Sequence, residues 1–308
     1  MRHLSAPLSP KSTPHRSAQD RSNDLSTHCL GDVATLQDFI LRHPRLFVVS
    51  GAGISHASGI PTYRDEEGNW KSNRPIQHGE FMRSEAVRKR YWVRSFVGWP
   101  NVASATPNLA HEALTELEAL GYVQTLVTQN IDRLHQRSGH RQVVDLHGRL
   151  DQVVCMQCRA VSPRAELQLW LAQHNSQLQE QDFSSVMLAP DGDAEVAARL
   201  VNGVRLPDCP HCGGILKPNV VFYGDSVVKQ KIDYLMERLD QADALLTVGT
   251  SLMVYSSFRF CKNAASKDIP MACINQGLTR ADPLFQLKVA ADCGQTLHTL
   301  AQSLPARS

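Results

Sequence analysis

Leu46-Phe47-Val48-Val49-Ser50-Gly51-Ala52-Gly53-Ile54-Ser55 decides how this chain folds. Its first four residues form an uninterrupted apolar run, too short for a helix, so it reads as a strand buried on both faces. The glycines behind it let the backbone turn tightly and come close to a ligand. A buried strand, a glycine-rich turn and then a helical turn present backbone N–H groups to a dinucleotide pyrophosphate. The pattern does not complete G-x-G-x-x-G, because the third position is His56 and the next glycine is Gly59. Taken alone, the turn leaves a ligand-free strand-to-helix corner open as a reading. Its continuation, Gly59-Ile60-Pro61-Thr62-Tyr63-Arg64, adds a guanidinium suited to phosphate.

Outward from this corner, helices and strands alternate. Upstream, Val33, Leu36, Ile40 and Leu41 share one helical face that Pro44 ends. Downstream, Thr106 reads as an N-cap, Pro107 as the first helical residue, Leu109, Ala113, Leu114, Leu117 and Leu120 as the apolar face, and Gly121 as the stop. Strands are predicted at Val123 to Val127, Val220 to Phe222, Ala244 to Val248 and Met271 to Ile274, with a helix bearing Ile232, Leu235, Met236 and Leu239. The alternation predicts an α/β fold with a doubly wound, mostly parallel sheet. Residues 151–217 break the rhythm, being polar and irregular between two cysteine pairs, and read as a small domain inserted into the large one.

Composition narrows the classes. The 308 residues, 42% hydrophobic and 20% charged, suit one large domain or one large plus one small. A formal charge of +2 without a run of basic residues gives no nucleic-acid or membrane footprint. No segment has the apolar length of a membrane span or a secretory signal. Residues 1–27, rich in Ser, Pro, Arg and His, predict a disordered tail. An Arg- and Ser-containing start also fits a mitochondrial transit peptide, but Pro7, Pro10, Pro14, Asp20 and Asp24 oppose that. The expectation is a cytoplasmic protein, with the mitochondrial matrix as the alternative.

Four of the eight cysteines form the pairs Cys155-Met-Gln-Cys158 and Cys209-Pro-His-Cys212, while Cys29, Cys261, Cys273 and Cys293 stand apart. Two C-x-x-C knuckles in a reducing compartment point to zinc rather than to disulfides or redox pairing. The 50 residues between the pairs exceed a zinc-ribbon separation, so the stretch must loop out or fold locally; Ala189-Pro190-Asp191-Gly192-Asp193 has turn chemistry. Four thiolates fill a tetrahedral shell and leave no open position for water, which predicts a structural ion.

Polar clusters follow the predicted strands: Thr128-Gln129-Asn130-Ile131-Asp132, Asp145-Leu146-His147-Gly148, Gly249-Thr250-Ser251 and Asn275-Gln276-Gly277. Ligands of an open parallel sheet bind at the carboxyl ends of its strands, where all four clusters fall. Singly, His147 reads more often as a satisfied or surface histidine, Asp132 as a solvated charge or a cap for a helix from Arg133 to Arg137, and Asn130 as a turn residue.

Together these residues resemble the sirtuin family, with GAG-x-S…GIP-x-[FY]-R at Gly51 to Arg64, TQNID-x-LH at Thr128 to His135 and LHG at Leu146 to Gly148. The cysteine pairs, KP-x-VVF-x-G at Lys217 to Gly224, GTS at Gly249 to Ser251 and a late Asn275 continue the match over residues 33–300. Finer features resemble the class II, sirtuin 4-like branch in its bacterial form: Tyr63, Arg74-Pro-Ile-Gln-His78-Gly79, Arg90-Tyr-Trp92, Phe96-Val-Gly-Trp99-Pro100 and the Ala189 to Asp193 turn.

The resemblance implies a Rossmann-like NAD-binding domain, taken here as residues 28–150 and 218–304, and a zinc domain at 151–217. It implies an NAD-dependent lysine deacylase that releases nicotinamide and O-acyl-ADP-ribose, with NAD as co-substrate, one structural zinc on Cys155, Cys158, Cys209 and Cys212, and His147 as general base. Gly51, Ala52, Gly53, Ser55, Ile60, Pro61, Tyr63 and Arg64 would hold the phosphates and neighbouring groups. Gln129, Asn130, Ile131 and Asp132 would hold the ribose and carboxamide. Gly249, Thr250, Ser251, Asn275, Gln276, Gly277 and Cys293 would take the adenosine side. Val221, Phe222, Gly224, Val254 and Tyr255 would flank an acyl-lysine protein substrate as strands.

The acyl group stays open between acetyl and lipoyl, biotinyl or branched chains. Asn69-Trp-Lys-Ser72 lacks the Tyr-x-x-Arg of desuccinylating members, and Tyr91 and Arg94 have that spacing but fall later, on an expected helix. Mono-ADP-ribosyl transfer from the same NAD site is the enzymatic alternative. A non-enzymatic zinc-ribbon binder is the alternative of another class, disfavoured by the weak charge.

Overall fold

The computed structural model describes residues 30–62, 75–180 and 198–307. The tail, Cys29, Tyr63, Arg64, the 69–72 stretch, Arg74 and the turn at 189–193 lie outside the described residues.

The described strands are β1 (Leu46–Ser50), β2 (Val123–Thr128), β3 (Val143–Asp145), β4 (Gly148–Cys155), β5 (Val161–Pro163), β6 (Leu216–Val220), β7 (Ala244–Val248), β8 (Met271–Ile274) and β9 (Leu287–Val289). The helices are α1 (Val33–Arg42), α2 (His78–Arg83), α3 (Glu85–Ser104), α4 (Leu109–Ala119), α5 (Leu134–Arg137), α6 (Arg164–His174), α7 (Ser176–Gln179), α8 (Ala198–Val201), α9 (Lys229–Asp240), α10 (Tyr255–Ser266) and α11 (Cys293–Ser303).

Six strands form one parallel sheet in the order β3-β2-β1-β7-β8-β9. The order reverses between β1 and β7, and a doubly wound sheet opens its ligand crevice at that switch point. All five residues of β1 and of β7 are buried, as continuous apolar runs require when helices cover both faces. One layer packs α1, α4 and α11 side chains such as Leu36, Leu114 and Leu297 on the sheet; the other packs Leu235, Leu239 and Phe260 of α9 and α10. Each fully buried Leu or Phe contributes about 1.5–3 kcal/mol.

The remaining strands form an antiparallel sheet, β5-β4-β6. The apolar residues at 220–222 were expected in the parallel sheet, but the strand lies earlier, at Leu216–Val220, and pairs with β4. Val221 leaves it by donating its N–H to the His147 carbonyl at 2.7 Å, which turns Phe222 toward the cleft. Ile76, Phe81, Tyr91 and Trp92, from α2, α3 and the residue pair before them, pack with Val153, Leu167 and Leu171 of the zinc side. Residues 76–92, assigned by sequence to the large domain, thus share a core with the insert.

Two helix details differ from expectation. Helix α4 begins at Leu109 with Asn108 as N-cap, two residues beyond Thr106. The Asn108 side chain accepts from the Ala110 N–H and donates to Ile54 O and Ser58 Oγ, both at 2.9 Å, so capping and the tie to the glycine loop fall on one residue. In α1, Phe39 is buried and Leu41 is 45% exposed, because Leu36, Phe39 and Ile40 form the face that meets the sheet. Gly121 stops α4 as expected, with φ +88° behind the Leu120 cap.

Candidate active site

Each strand-end cluster enters one cleft of about 1200 Å³ at the switch point. It holds Ala52, Gly53, Ser55 and Ile60 from the glycine turn and Gln129, Asn130, Ile131 and Asp132 after β2. His147 follows β3, while Gly249, Thr250, Ser251, Asn275, Gln276, Gly277 and Cys293 line the far end. Val221, Phe222, Gly224, Val254 and Tyr255 also border it, none of them in a strand; Tyr255 opens α10. Gly51 lies behind the cleft wall rather than on it, buried, with its N–H on Val248 O at 3.1 Å. Pro61 is not among the lining residues.

The backbone of the glycine turn approaches β7's loop as only glycine permits. The Gly53 N–H bonds Gly249 O at 2.8 Å. A Cβ on Gly249, whose φ is +58°, would stand 2.6 Å from Ile54 N.

Polar side chains cross-link the floor. Ser55 Oγ donates to Asp132 Oδ2 at 2.7 Å, and the Leu134 N–H donates to Asp132 Oδ1 at 2.9 Å. Asp132 is not the cap expected of it, since Arg133 holds the N-cap position of α5; its carboxylate instead joins the Leu134 N–H to the glycine turn. Burial raises the Asp132 carboxyl above its ordinary range, and these two hydrogen bonds oppose the rise. Asn130 Nδ2 donates to Ser55 Oγ at 2.9 Å and Gly51 O at 3.1 Å, and Gln129 Nε2 donates to Thr250 Oγ1 at 2.7 Å.

His147 is fixed at both ring nitrogens. Nδ1 lies 3.1 Å from the Gln129 carbonyl oxygen and Nε2 2.7 Å from Ser256 Oγ. A carbonyl has no proton to give, so Nδ1 carries the hydrogen and Nε2 keeps the lone pair. Enclosure of the ring by protein lowers its pKa to about 4, with nearby Lys231 adding to the effect and the Gln129 carbonyl opposing it. The ring is neutral near pH 7, as a general base must be.

Sequence reasoning missed Ser256, whose Ser-Ser-Phe context carries no motif. It also set Tyr91 aside, yet Tyr91 lies on α3 and lines the cleft beside Phe222, ring centroids 5.2 Å apart.

The four cysteines of the two knuckles meet at the far side of the small sheet, every Sγ within 4.8 Å of the others. Cys155 and Cys212 are 3.5 Å apart and Cys158 and Cys209 3.7 Å, close to the roughly 3.8 Å edge of a tetrahedron with 2.3 Å zinc–sulfur bonds. The Gln157 and Cys158 N–H groups point at Cys155 Sγ, which favours its thiolate. The donor set of four thiolates fits the tetrahedral shell of zinc.

No described helix is long and apolar enough to cross a membrane. Residues 51–256 match the Sir2 family profile. A Bradyrhizobium diazoefficiens protein named NAD-dependent protein deacetylase 2 is 52% identical over 85% of this chain and 95% of its own. The Homo sapiens protein named NAD-dependent protein lipoamidase sirtuin-4, mitochondrial, is 46% identical over 86% of this chain and 84% of its own. Among solved structures, a Sir2 homologue–NAD complex superposes with a TM-score of 0.66 at 26% identity, covering 89% of this chain and 94% of that one. With its switch-point cleft, its cysteine quartet and these likenesses, the chain belongs to the Sir2 family.

Proposed function

We propose that this protein is an NAD-dependent protein lysine deacylase, moving the acyl group of a modified lysine to ADP-ribose with release of nicotinamide. The observation that carries the reading is His147: neutral, held in one tautomer by Gln129, and set on the floor of a cleft whose other polar groups suit a dinucleotide. The bacterial relative's name supports the same activity.

NAD, when bound, supplies an activated ribose carbon to the acyl oxygen. The protein's part is binding, orientation and proton transfer. The N–H groups of the turn after Gly51 suit the pyrophosphate. Asn130 and Asp132, cross-linked through Ser55, suit the carboxamide and ribose, and Ser251, Asn275 and Cys293 the adenosine end. His147 Nε2 takes a proton from a ribose hydroxyl, a contribution of typically 10²- to 10⁴-fold. Cys155, Cys158, Cys209 and Cys212 would hold a zinc ion that ties the small sheet together and has no open position for chemistry.

Acyl-lysine proteins are the partners this cleft suits, with Val221, Phe222, Gly224, Val254 and Tyr255 along the peptide. Ile60, Ile76, Tyr91, Ile131 and Phe222 are among the described residues that line the cleft, and we take this apolar share of its lining to favour uncharged acyl chains. We place the protein in the cytoplasm. Residues 28–150 and 218–304 are the NAD-binding domain and 151–217 the zinc domain, which α2 and α3 extend by packing.

Mass spectrometry of acetyl-, lipoyl-, biotinyl- and glutaryl-lysine peptides incubated with NAD tests this, with His147→Ala as control. The expected outcome is O-acyl-ADP-ribose and free lysine with the wild type only. Nicotinamide release without loss of any acyl group would replace deacylation by ADP-ribosyl transfer.

A further inference from the structure

We propose that Ser256 is a positioning residue for His147, holding the basic lone pair of Nε2 in place and then bonding to the protonated ring. The inference rests on the deacylase reading of the cleft, although the contact itself does not.

With Nδ1–H committed to Gln129 O, Nε2 has only a lone pair, so at 2.7 Å Ser256 Oγ is the donor. The two side chains come from different supports. His147 stands in the short link between β3 and β4, whereas Ser256 is in the first turn of α10, anchored by fully buried Phe260, Cys261 and Ala264. The neighbouring Ser257 is buried and gives its hydroxyl to Val254 O at 2.9 Å, which leaves Ser256 as the hydroxyl of this turn that faces the ring. Ser256 also lines the cleft.

A hydroxyl suits both charge states of the ring. Toward neutral His147 it donates. Nε2 has one lone pair, so the Ser256 hydroxyl swings its proton off Nε2 as a substrate O–H takes its place; that O–H bond then breaks, its proton forms the Nε2–H bond, the electron pair stays on the substrate oxygen and the ring becomes imidazolium. Ser256 Oγ, its own proton turned away, then accepts from Nε2–H, while Gln129 O continues to accept from Nδ1–H. No proton leaves Ser256, so the balance is one proton moved from substrate to ring. A group that bonds the imidazolium supports the charge that develops during the transfer.

The test compares wild type, Ser256→Ala and Ser256→Thr as full chains. Nitrogen-15 spectra of the histidine rings, taken without NAD, read the contact directly. In Ser256→Ala the His147 Nε2 resonance is expected to move toward that of a lone pair without a hydrogen bond, and Ser256→Thr to restore it. With acetyl-lysine peptide and NAD, Ser256→Ala is expected to lose about 10- to 100-fold in kcat with KM for NAD within about twofold. Ser256→Thr should recover most of that loss. An Nε2 resonance unmoved by Ser256→Ala, or a change in KM alone, overturns the proposal. A wild type that releases no nicotinamide counts against the deacylase reading, and the resonance still decides the Ser256 contact.

Discussion

Lys288 and Asp282 form a buried ion pair beside the Asn275–Gly277 turn of the cleft. Lys288 Nζ lies 3.0 Å from both carboxylate oxygens and donates to Gly277 O, also at 3.0 Å. Asp282 further accepts from Thr279 N–H and Oγ1, and Asn275 Nδ2 donates to the same Gly277 carbonyl at 2.8 Å. One ammonium thus holds the turn that carries Asn275, Gln276 and Gly277.

Lys288→Met is therefore expected to raise KM for NAD while kcat changes little. It leaves a buried carboxylate unpaired and should cost about 3–5 kcal/mol in stability. Adding Asp282→Asn should recover part of that loss in denaturant titration. A double variant no more stable than Lys288→Met alone would mean the pair is not what holds the turn.

The pH profile of kcat/KM should report His147. Its pKa of about 4 lies below the ordinary 6.5, so the base stays unprotonated down to mildly acidic pH. The acid limb assigned to His147 is expected below pH 6 in a folded sample, and an acid limb centred at 6.5 or above would contradict the enclosure of the ring.

Stability should fall on the acid side for the same reason. His111, with a pKa near 4, His135, held well below 6.5 by burial, and His147 are neutral in the folded chain. Unfolded histidines titrate at about 6.5, so between pH 6.5 and 4 the unfolded state binds protons that the folded state refuses. The stability is complete above 6.5 and is lost on acidification, by about 1.4 kcal/mol per pH unit for each such histidine. Burial raises Asp132 and Asp145, and these oppose the trend at its acid end. Urea midpoints at pH 7.5, 6 and 5 measure it; a midpoint that does not fall fails the prediction.

Zinc removal should unfold the small sheet and abolish turnover, because metal bound only by the folded state is folding free energy. A chelator titration followed by circular dichroism and activity, with zinc added back, reads this. Full activity in a metal-free sample would show the quartet to be dispensable.

Gly249→Ala should disrupt the switch point. The residue has φ +58° and a Cβ there would sit 2.6 Å from Ile54 N, backbone that cannot move aside cheaply. A loss of about 2 kcal/mol or more, with weaker NAD binding by calorimetry, is expected.

Much of this was legible in the chain. Leu46 to Val49, Ala244 to Val248 and Met271 to Ile274 are strands because an apolar run that short can be buried only in a covered sheet. The two C-x-x-C pairs converge in the fold, as two knuckles suited to one ion should. The strand-end clusters converge because parallel strands all end on one edge.

Other features are invisible to local pattern. Thr106-Pro107 carries the proline-at-N1 signal, yet Asn108, itself a good N-cap residue, caps α4, and its amide also finds Ile54 O and Ser58 Oγ, 54 and 50 residues away. The strand expected at 220–222 lies at Leu216–Val220 because β4 was there to pair with it.

The sequence by itself determined the doubly wound sheet, the cysteine quartet that could hold an ion and the residues at the strand ends, all written in short-range periodicity and spacing. Tertiary structure alone decided that Ser256 meets His147 across 109 residues, that Lys288 lies under Gly277, and that α2 and α3 pack with the zinc side. Those contacts depend on how far the chain travels before it returns, which no local propensity encodes.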